Sequence, residues 1–432
     1  MNVLVLGSDG RAHALTWRIA SSPSVESVWC APGNPGIAAV ADCHSVDAND
    51  PGAVAQLADD LDVDVVVVSA EEPLVRGVVD AVEARGLAAF GPTADGARLE
   101  GSKAWMKEVL SDAGVPTARY ASFGAGEEDK ALAFLEQLPG LYVVKTDGLA
   151  AGKGVLVTES IADARDAVRR YLSGEAFGAA GRTVVIEEGL TGPELSLLVV
   201  CNGTDDGWPL APAQDFKRIG DGDTGPNTGG MGAYSPVPAA GSGLLDEVME
   251  RSVRPTLHEL ARRGVAYKGV LYAGLMLTPA GPKMLEYNVR FGDPEAQVVL
   301  PRFAGDFARL CHDAATGRSD LDVAFGHDAC VTVVLATEGY PVTKREGDEI
   351  EGVDAAEDLP GINVFHAGTA ERDSRLVTAG GRVLAVTALA PTLADARRRA
   401  YEASDRISWP GMQYRRDIAA AAAVQSVSEG AP

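Results

Sequence analysis

Four short apolar runs, Val3–Leu6, Ser27–Cys30, Val63–Ser69 and Leu87–Phe90, recur through the first hundred residues, each followed by a loop and helical spacing. Strands separated by helices return to one sheet as parallel neighbours. Residues 1–100 are therefore expected to form an open parallel α/β sheet. Its first turn, Gly7-Ser-Asp-Gly10, opens a helix over Arg11 to Ser21. The pattern is G-x-x-G, not G-x-G-x-x-G, so a nicotinamide fingerprint is absent. The helix start at Gly10 either offers backbone N–H groups to an anion or is a tight turn with nothing bound. Ligands of such sheets sit beyond the carboxyl ends of strands, where Pro32–Gly36 and Ser69–Pro73 fall. Glu71 there is a ribose-hydroxyl contact or an exposed loop acid.

In the middle of the chain, Gly101-Ser-Lys103 opens a helix through Leu110, closed by Gly114-Val-Pro116. A β run ends at Lys145, and Asp147–Gly154 leads into a second strand, Val155–Thr158. Gly148, Gly152 and Gly154 let such a hairpin close over phosphates, with backbone N–H groups and Lys153 as donors. No helix follows, so it is not a Walker loop. The strand Val184–Glu188 ends on two acids, Glu187 and Glu188, which are costly to bury unless used. They suit a nucleotide hinge with Glu194 near the ribose, or a solvated edge. Gln214–Arg218 precedes a stretch with six glycines between 220 and 232. That density argues against helix or strand, and Asn227, Thr228, Met231 and Tyr234 make it a substrate loop.

The densest chemistry lies in Leu285–Pro294, on the second of two neighbouring strands, Val270–Leu277 and Lys283–Asn288. Alternation puts Glu286, Asn288 and Arg290 on one face. A carboxylate and an amide oxygen suit Mg²⁺, which shares its shell with water and phosphates. A guanidinium beyond them can clamp a carboxylate or phosphate. The alternative is a solvated polar face. From about 327 onward, strands near Ala329–Ala336, Asn363–Thr369 and Val383–Ala390 and a helix Leu393–Ile407 form a last unit. Ala419–Pro432 reads as a frayed helix end and disordered tail.

A net charge of −23 without a block of five like charges argues against nucleic acid, which needs a basic face. The five scattered cysteines form no C-x-x-C pair and read as reduced core thiols of a cytoplasmic protein. The N-terminus enters a strand with no signal-peptide pattern, and no apolar run approaches the ~18 residues of a membrane helix.

In this order and spacing the segments resemble the ATP-grasp ligases, and among them the phosphoribosylamine–glycine ligase family, over about residues 1–418. The resemblance rests on Gly101-Ser-Lys, Lys145 through Val155, Glu187-Glu, Gln214 through Arg218, Gly220 through Pro236, Tyr272-Ala-Gly-Leu and Leu285 through Pro294. It implies an α/β and α+β multidomain fold. The parts are an N-terminal open parallel domain (1–100), an ATP-grasp core (101–118 and 193–326), a lid (119–192), a small C-terminal domain (327–418) and the tail (419–432). The implied chemistry is phosphorylation of the glycine carboxylate by ATP, then attack of the 5-phosphoribosylamine nitrogen, giving glycinamide ribonucleotide, ADP and phosphate. Glu286 and Asn288 would hold Mg²⁺ or Mn²⁺. Lys103, Lys145, Gly148, Gly152, Lys153 and Gly154 would hold the ATP phosphates, and Glu187, Glu188, Leu190 and Glu194 the adenosine. Arg290, Lys145 and Asp215 would be catalytic. Glycine and the sugar phosphate would meet Gly10, Glu71, Asp215, Lys217, Asn227, Thr228, Gly229, Gly230, Met231 and Arg290. Only small-molecule partners are implied, with no nucleic acid, no membrane, and a monomer or weak dimer.

Departures fall mostly in the N-terminal part. The family's Gly-Gly-Arg-Glu-His is Asp9-Gly-Arg-Ala-His13 here, and Gly-Pro-Glu is Ser69-Ala-Glu71. Gly189 replaces a usual aromatic and Ala296 a usual threonine. An acid at position 9 would repel a phosphate there. A paralogue using a different amine, and a nucleotide-binding protein without ligase activity, are the other readings. Glu286, Asn288, Lys145 and Lys153 together weigh against the latter.

Overall fold

Val65–Val68 is buried at all four positions, as a strand covered by helices on both faces must be. The computed structural model describes residues 1–149, 154–174 and 182–429. Its first sheet is parallel, ordered β3-β2-β1-β4-β5. The strands are β1 (Asn2–Gly7), β2 (Ser27–Pro32), β3 (Asp42–Cys43), β4 (Val65–Val68) and β5 (Ala88–Phe90). The short β3 is an addition to the four strands expected from the apolar runs. Four cysteines are buried, but Cys43 is exposed on this edge strand and is no core thiol.

A second sheet, ordered β6-β9-β7-β8, comprises β6 (Tyr120–Gly124), β7 (Tyr142–Thr146), β8 (Val155–Thr158) and β9 (Thr183–Glu188). It has its own apolar core, including Leu135, Val144, Val168 and Ile186. The third sheet, β11-β10-β16-β17, carries the Glu286 strand. Its members are β10 (Glu194–Asn202), β11 (Gly207–Pro209), β16 (Lys268–Thr278) and β17 (Gly281–Asn288). Here Asn288 lies opposite Tyr272 and Glu286 opposite Gly274, with an irregularity just beyond that pair. Arg290 lies two residues past the strand end, in a bend.

The fourth sheet, β12-β15-β18-β22-β19, joins the glycine-rich region to the last unit. It contains β12 (Gln214–Asp215), β15 (Gly232–Ser235), β18 (Ala329–Ala336), β19 (Ile362–His366) and β22 (Arg382–Ala390). Two hairpins complete the strands: β13 (Arg218–Gly220) with β14 (Thr224–Asn227), and β20 (Thr369–Arg372) with β21 (Arg375–Thr378). The glycine-rich stretch is thus not strand-free. Gly222 and Gly225 take left-handed backbone around the turn, and Asp417 accepts the Gly222 N–H at 2.8 Å. Arg415 donates to the Arg218 carbonyl at 3.1 Å and to Asp223 at 2.7 Å. The expected tail is also largely helical, over Ala420–Glu429. Consecutive alanines favour helix, and Ala422 and Ala423 are buried.

Among the described residues no helix is long and apolar enough to cross a membrane. The first sheet meets the third at a backbone-to-backbone contact: a Cβ on Gly269 would lie 2.6 Å from the Gly91 Cα. Gly269 also has φ +94°, which side-chain-bearing residues rarely adopt. Gly269→Ala is therefore expected to destabilise the protein by at least about 1–3 kcal/mol. Urea unfolding would show this as a lower midpoint, and an unchanged midpoint would exclude the contact as a constraint.

Candidate active site

Ser102 caps the helix Lys103–Asp112, and its hydroxyl also donates to Asp147 at 3.0 Å. The Ala104 N–H reaches the same carboxylate at 2.7 Å. This ties the helix start to the mouth of the glycine-rich loop and leaves the Lys103 ammonium 3.5 Å from the Gly148 carbonyl. Behind it, strands β7 and β9 bring Lys145 and Glu187 to 2.8 Å. The other Glu187 oxygen accepts from Lys107 at 2.7 Å. Burial alone would raise the Glu187 carboxyl, but Lys145 and Lys107 hold it below its usual range. Glu188 instead takes the Arg119 N–H at 3.0 Å and lies 3.6 Å from Lys283.

Glu286 and Asn288 present two hard oxygens on one face of β17. Burial would raise the Glu286 carboxyl, yet Lys145, Lys103, Lys217 and Arg290 together lower it. An ionised acid surrounded by cations suits a divalent ion shared with phosphate oxygens. The Asn288 oxygen accepts from Arg290 at 3.1 Å and keeps a second lone pair. Among the described residues no three His, Cys, Asp or Glu side chains gather as a cage, so the rest of such a shell falls to water and substrate. Beside this strand, Lys217 bridges Glu194 at 2.5 Å and Asp215 at 3.1 Å. The Asp215 carboxyl is pushed up to about 7 by burial, with Glu295 and Glu194 adding to it against Lys217.

At the carboxyl ends of the first sheet, one oxygen of Glu71 serves two guanidiniums, Arg11 at 3.3 Å and Arg290 at 3.2 Å. Arg290 also reaches Glu100 at 2.6 Å, and Arg11 reaches Asp9 at 2.8 Å. Asp9 caps the first helix by accepting the Ala12 N–H at 2.9 Å. Asp9 is thus paired with Arg11 and a helix start, while burial, with Asp293 adding to it, pushes its carboxyl up. Ser69 is buried, donating to the Leu6 carbonyl at 2.8 Å. Next to this network a cleft of about 380 Å³ opens between Ser8, Asp9 and Asn34 on one side and Gly368, Thr369 and Arg382 on the other.

The structure therefore brings Lys103, Lys145, Glu187, Glu194, Asp215, Lys217, Glu286, Arg290 and Glu71 into one connected set of charges, with the Asn288 amide beside Arg290. Several expectations change. The Glu187 carboxylate pairs with two lysines, which leaves its backbone, the part expected to meet the nucleotide base, as the hinge contact still proposed. Met231 is fully buried, and Tyr234 is buried with its hydroxyl on Gln214, so both side chains pack into the core. Thr228 folds back on the Lys217 carbonyl at 2.8 Å, while Asn227 and Gly229 are exposed. Gly10 is buried, with room for no Cβ beside Gln297. Gly230 packs on Pro294, Leu190 is half-buried after β9, and Gly154 accepts the Thr146 N–H at 2.9 Å. Gly152 and Lys153 lie outside the described residues. Leu141 fills the space beside Gly189.

Sequence reasoning missed Arg11, Glu100, Lys107, Glu295 and Arg382. Lys107 had a signal: it falls among the buried Met106, Val109 and Leu110 of a helix. Glu295 accepts from Tyr272 at 2.6 Å, and the Tyr272 segment had been singled out. Arg382 had none. It donates to the Gly229 carbonyl at 2.6 Å and pairs with Asp293 at 2.9 Å, contacts that only the fold creates.

Comparison with known proteins gives this geometry a family. Residues 1–100, 101–296 and 330–421 match the N, ATP-grasp (A) and C domains of phosphoribosylglycinamide synthetase. A phosphoribosylamine–glycine ligase of Streptomyces coelicolor is 51% identical over 98% of this chain and 100% of its own length. One from Brucella melitensis is 46% identical over 97% of both chains. The crystal structure of the Thermotoga maritima phosphoribosylamine–glycine ligase superposes with a TM-score of 0.84 at 35% identity, covering 97% of this chain and 100% of that one. A biotin carboxylase from Campylobacter jejuni shares the fold, with a TM-score of 0.74 at 13% identity over 96% of this chain and 92% of that one. The chain belongs to the phosphoribosylglycinamide synthetase family of ATP-grasp ligases.

Proposed function

We propose that this chain joins glycine to 5-phosphoribosylamine with ATP, through glycyl phosphate, as a step of purine biosynthesis. The observation that carries the reading is Glu286 beside Asn288, facing Lys103, Lys145 and Lys217. A glycine carboxylate oxygen bonds to the γ-phosphorus as the bond to ADP breaks. The amine nitrogen then bonds to the acyl carbon, phosphate leaves, and the amine proton is released. Lys103 and Lys145 orient the phosphates, and the cleft beside Asn34 and Arg382 suits the sugar phosphate. Glu286 and Asn288 would hold Mg²⁺ or Mn²⁺, which would offset charge on the phosphates. Residues 119–192 act as a lid that keeps water from the labile acyl phosphate. The enzyme works in the cytoplasm on small molecules, as a monomer or weak dimer.

Product analysis by mass spectrometry with ATP, Mg²⁺, glycine and fresh phosphoribosylamine is expected to yield glycinamide ribonucleotide. Glycine-dependent ADP release without that product would assign the chain another amine. Glu286→Ala is expected to cut turnover at least about 10²-fold with the unfolding midpoint unchanged. ADP formation at the wild-type rate by that variant would remove Glu286 from the metal role.

Asp215 is expected to accept the glycine ammonium only when ionised. With its carboxyl at about 7, kcat/KM for glycine falls as the pH drops below that value. Asp215→Asn should lose about 10–100-fold in kcat/KM, the loss of a charge-assisted hydrogen bond, and abolish that acidic limb. A limb that survives in the variant would belong to another group.

A further inference from the structure

Lys107 lies one helical turn beyond Lys103 with its side chain fully buried. Its ammonium donates to Glu187 at 2.7 Å and to the Thr117 hydroxyl at 2.7 Å. Thr117 in turn donates to the Met284 carbonyl on β17 at 2.7 Å. Helix, lid strand and metal strand therefore meet at this one lysine. Glu187 faces Lys107 with one oxygen and Lys145 with the other, so two buried ammonium groups pair directly with one carboxylate, while Glu286 acts on both electrostatically. Each ammonium keeps donors that Glu187 does not fill. Resting on the proposed nucleotide site, the remaining Lys145 donors face a phosphate.

We propose that Lys107 is a positioning residue that holds Glu187 away from full pairing with Lys145, keeping the Lys145 charge and donors for a nucleotide phosphate. Without Lys107, both Glu187 oxygens are free to turn to Lys145. The pair is then balanced, the fold keeps a neutral buried ion pair, and the phosphate loses its partner. Lys107 needs no contact with the nucleotide to act this way.

The test uses the full-length protein, with isothermal titration of ADP and of Mg²⁺-ATP at pH 7 and steady-state kinetics. Lys107→Met is expected to weaken nucleotide binding and raise KM for ATP by about 10-fold, leaving KM for glycine and the unfolding midpoint near wild type. Adding Glu187→Gln removes the carboxylate that captures Lys145. The double variant is therefore expected to recover affinity to within about 3-fold of wild type. A merely structural lysine predicts the opposite, with the double variant worse than the single. The proposal is overturned if Lys107→Met binds ATP as tightly as wild type, if it does not fold, or if the second substitution restores nothing. A wild-type protein that binds no adenine nucleotide would overturn the nucleotide reading itself, and this proposal with it.

Discussion

One oxygen of Glu71, accepting from Arg11 and Arg290 alike, joins the carboxyl ends of the first sheet to the segment that follows the Glu286 strand. Both guanidiniums are largely buried, and a buried cation without its counter-charge costs several kcal/mol. Glu100, Glu71 and Asp9 together supply that counter-charge. The line Asn288–Arg290–Glu71–Arg11–Asp9 is continuous, so the loop after β1 and the end of β17 take their positions from each other. Neither half can be placed alone. Arg290, read from the sequence as a clamp for a carboxylate or phosphate, is itself held by Glu71 and Glu100.

The parts legible in the sequence were those governed by local periodicity. The valine run of β4, the alternation of β17 and the glycine turn after β1 each carry their own instruction. What was not legible depends on distant partners. The guanidinium partner of Asp9 and its helix-capping geometry appear only in the fold. The glycine-rich stretch looked strand-free because glycine propensity was weighed without the arginine that grips it. Met231 was expected in a loop, while the chain there enters β15 and the core.

Shared carboxylates recur across the site. Glu187 lies between two lysines, Glu71 between two arginines, and Lys217 inverts the pattern between Glu194 and Asp215. The Glu71 group is extended by Asp9 and Glu100, and Glu286 acts electrostatically on the lysines around Glu187. An acidic protein thus keeps a local cluster of lysines, Lys103, Lys107 and Lys145, whatever its net charge of −23.

The β14 strand of the β13–β14 hairpin is exposed, yet the turn is gripped by Arg415, Arg416 and Asp417, far along the chain. In evolutionary terms the two segments form one module separated by almost two hundred residues. An insertion into the turn would strand a buried guanidinium, so loop length here is tied to residues 415–417. Family members that vary one segment would have to vary the other.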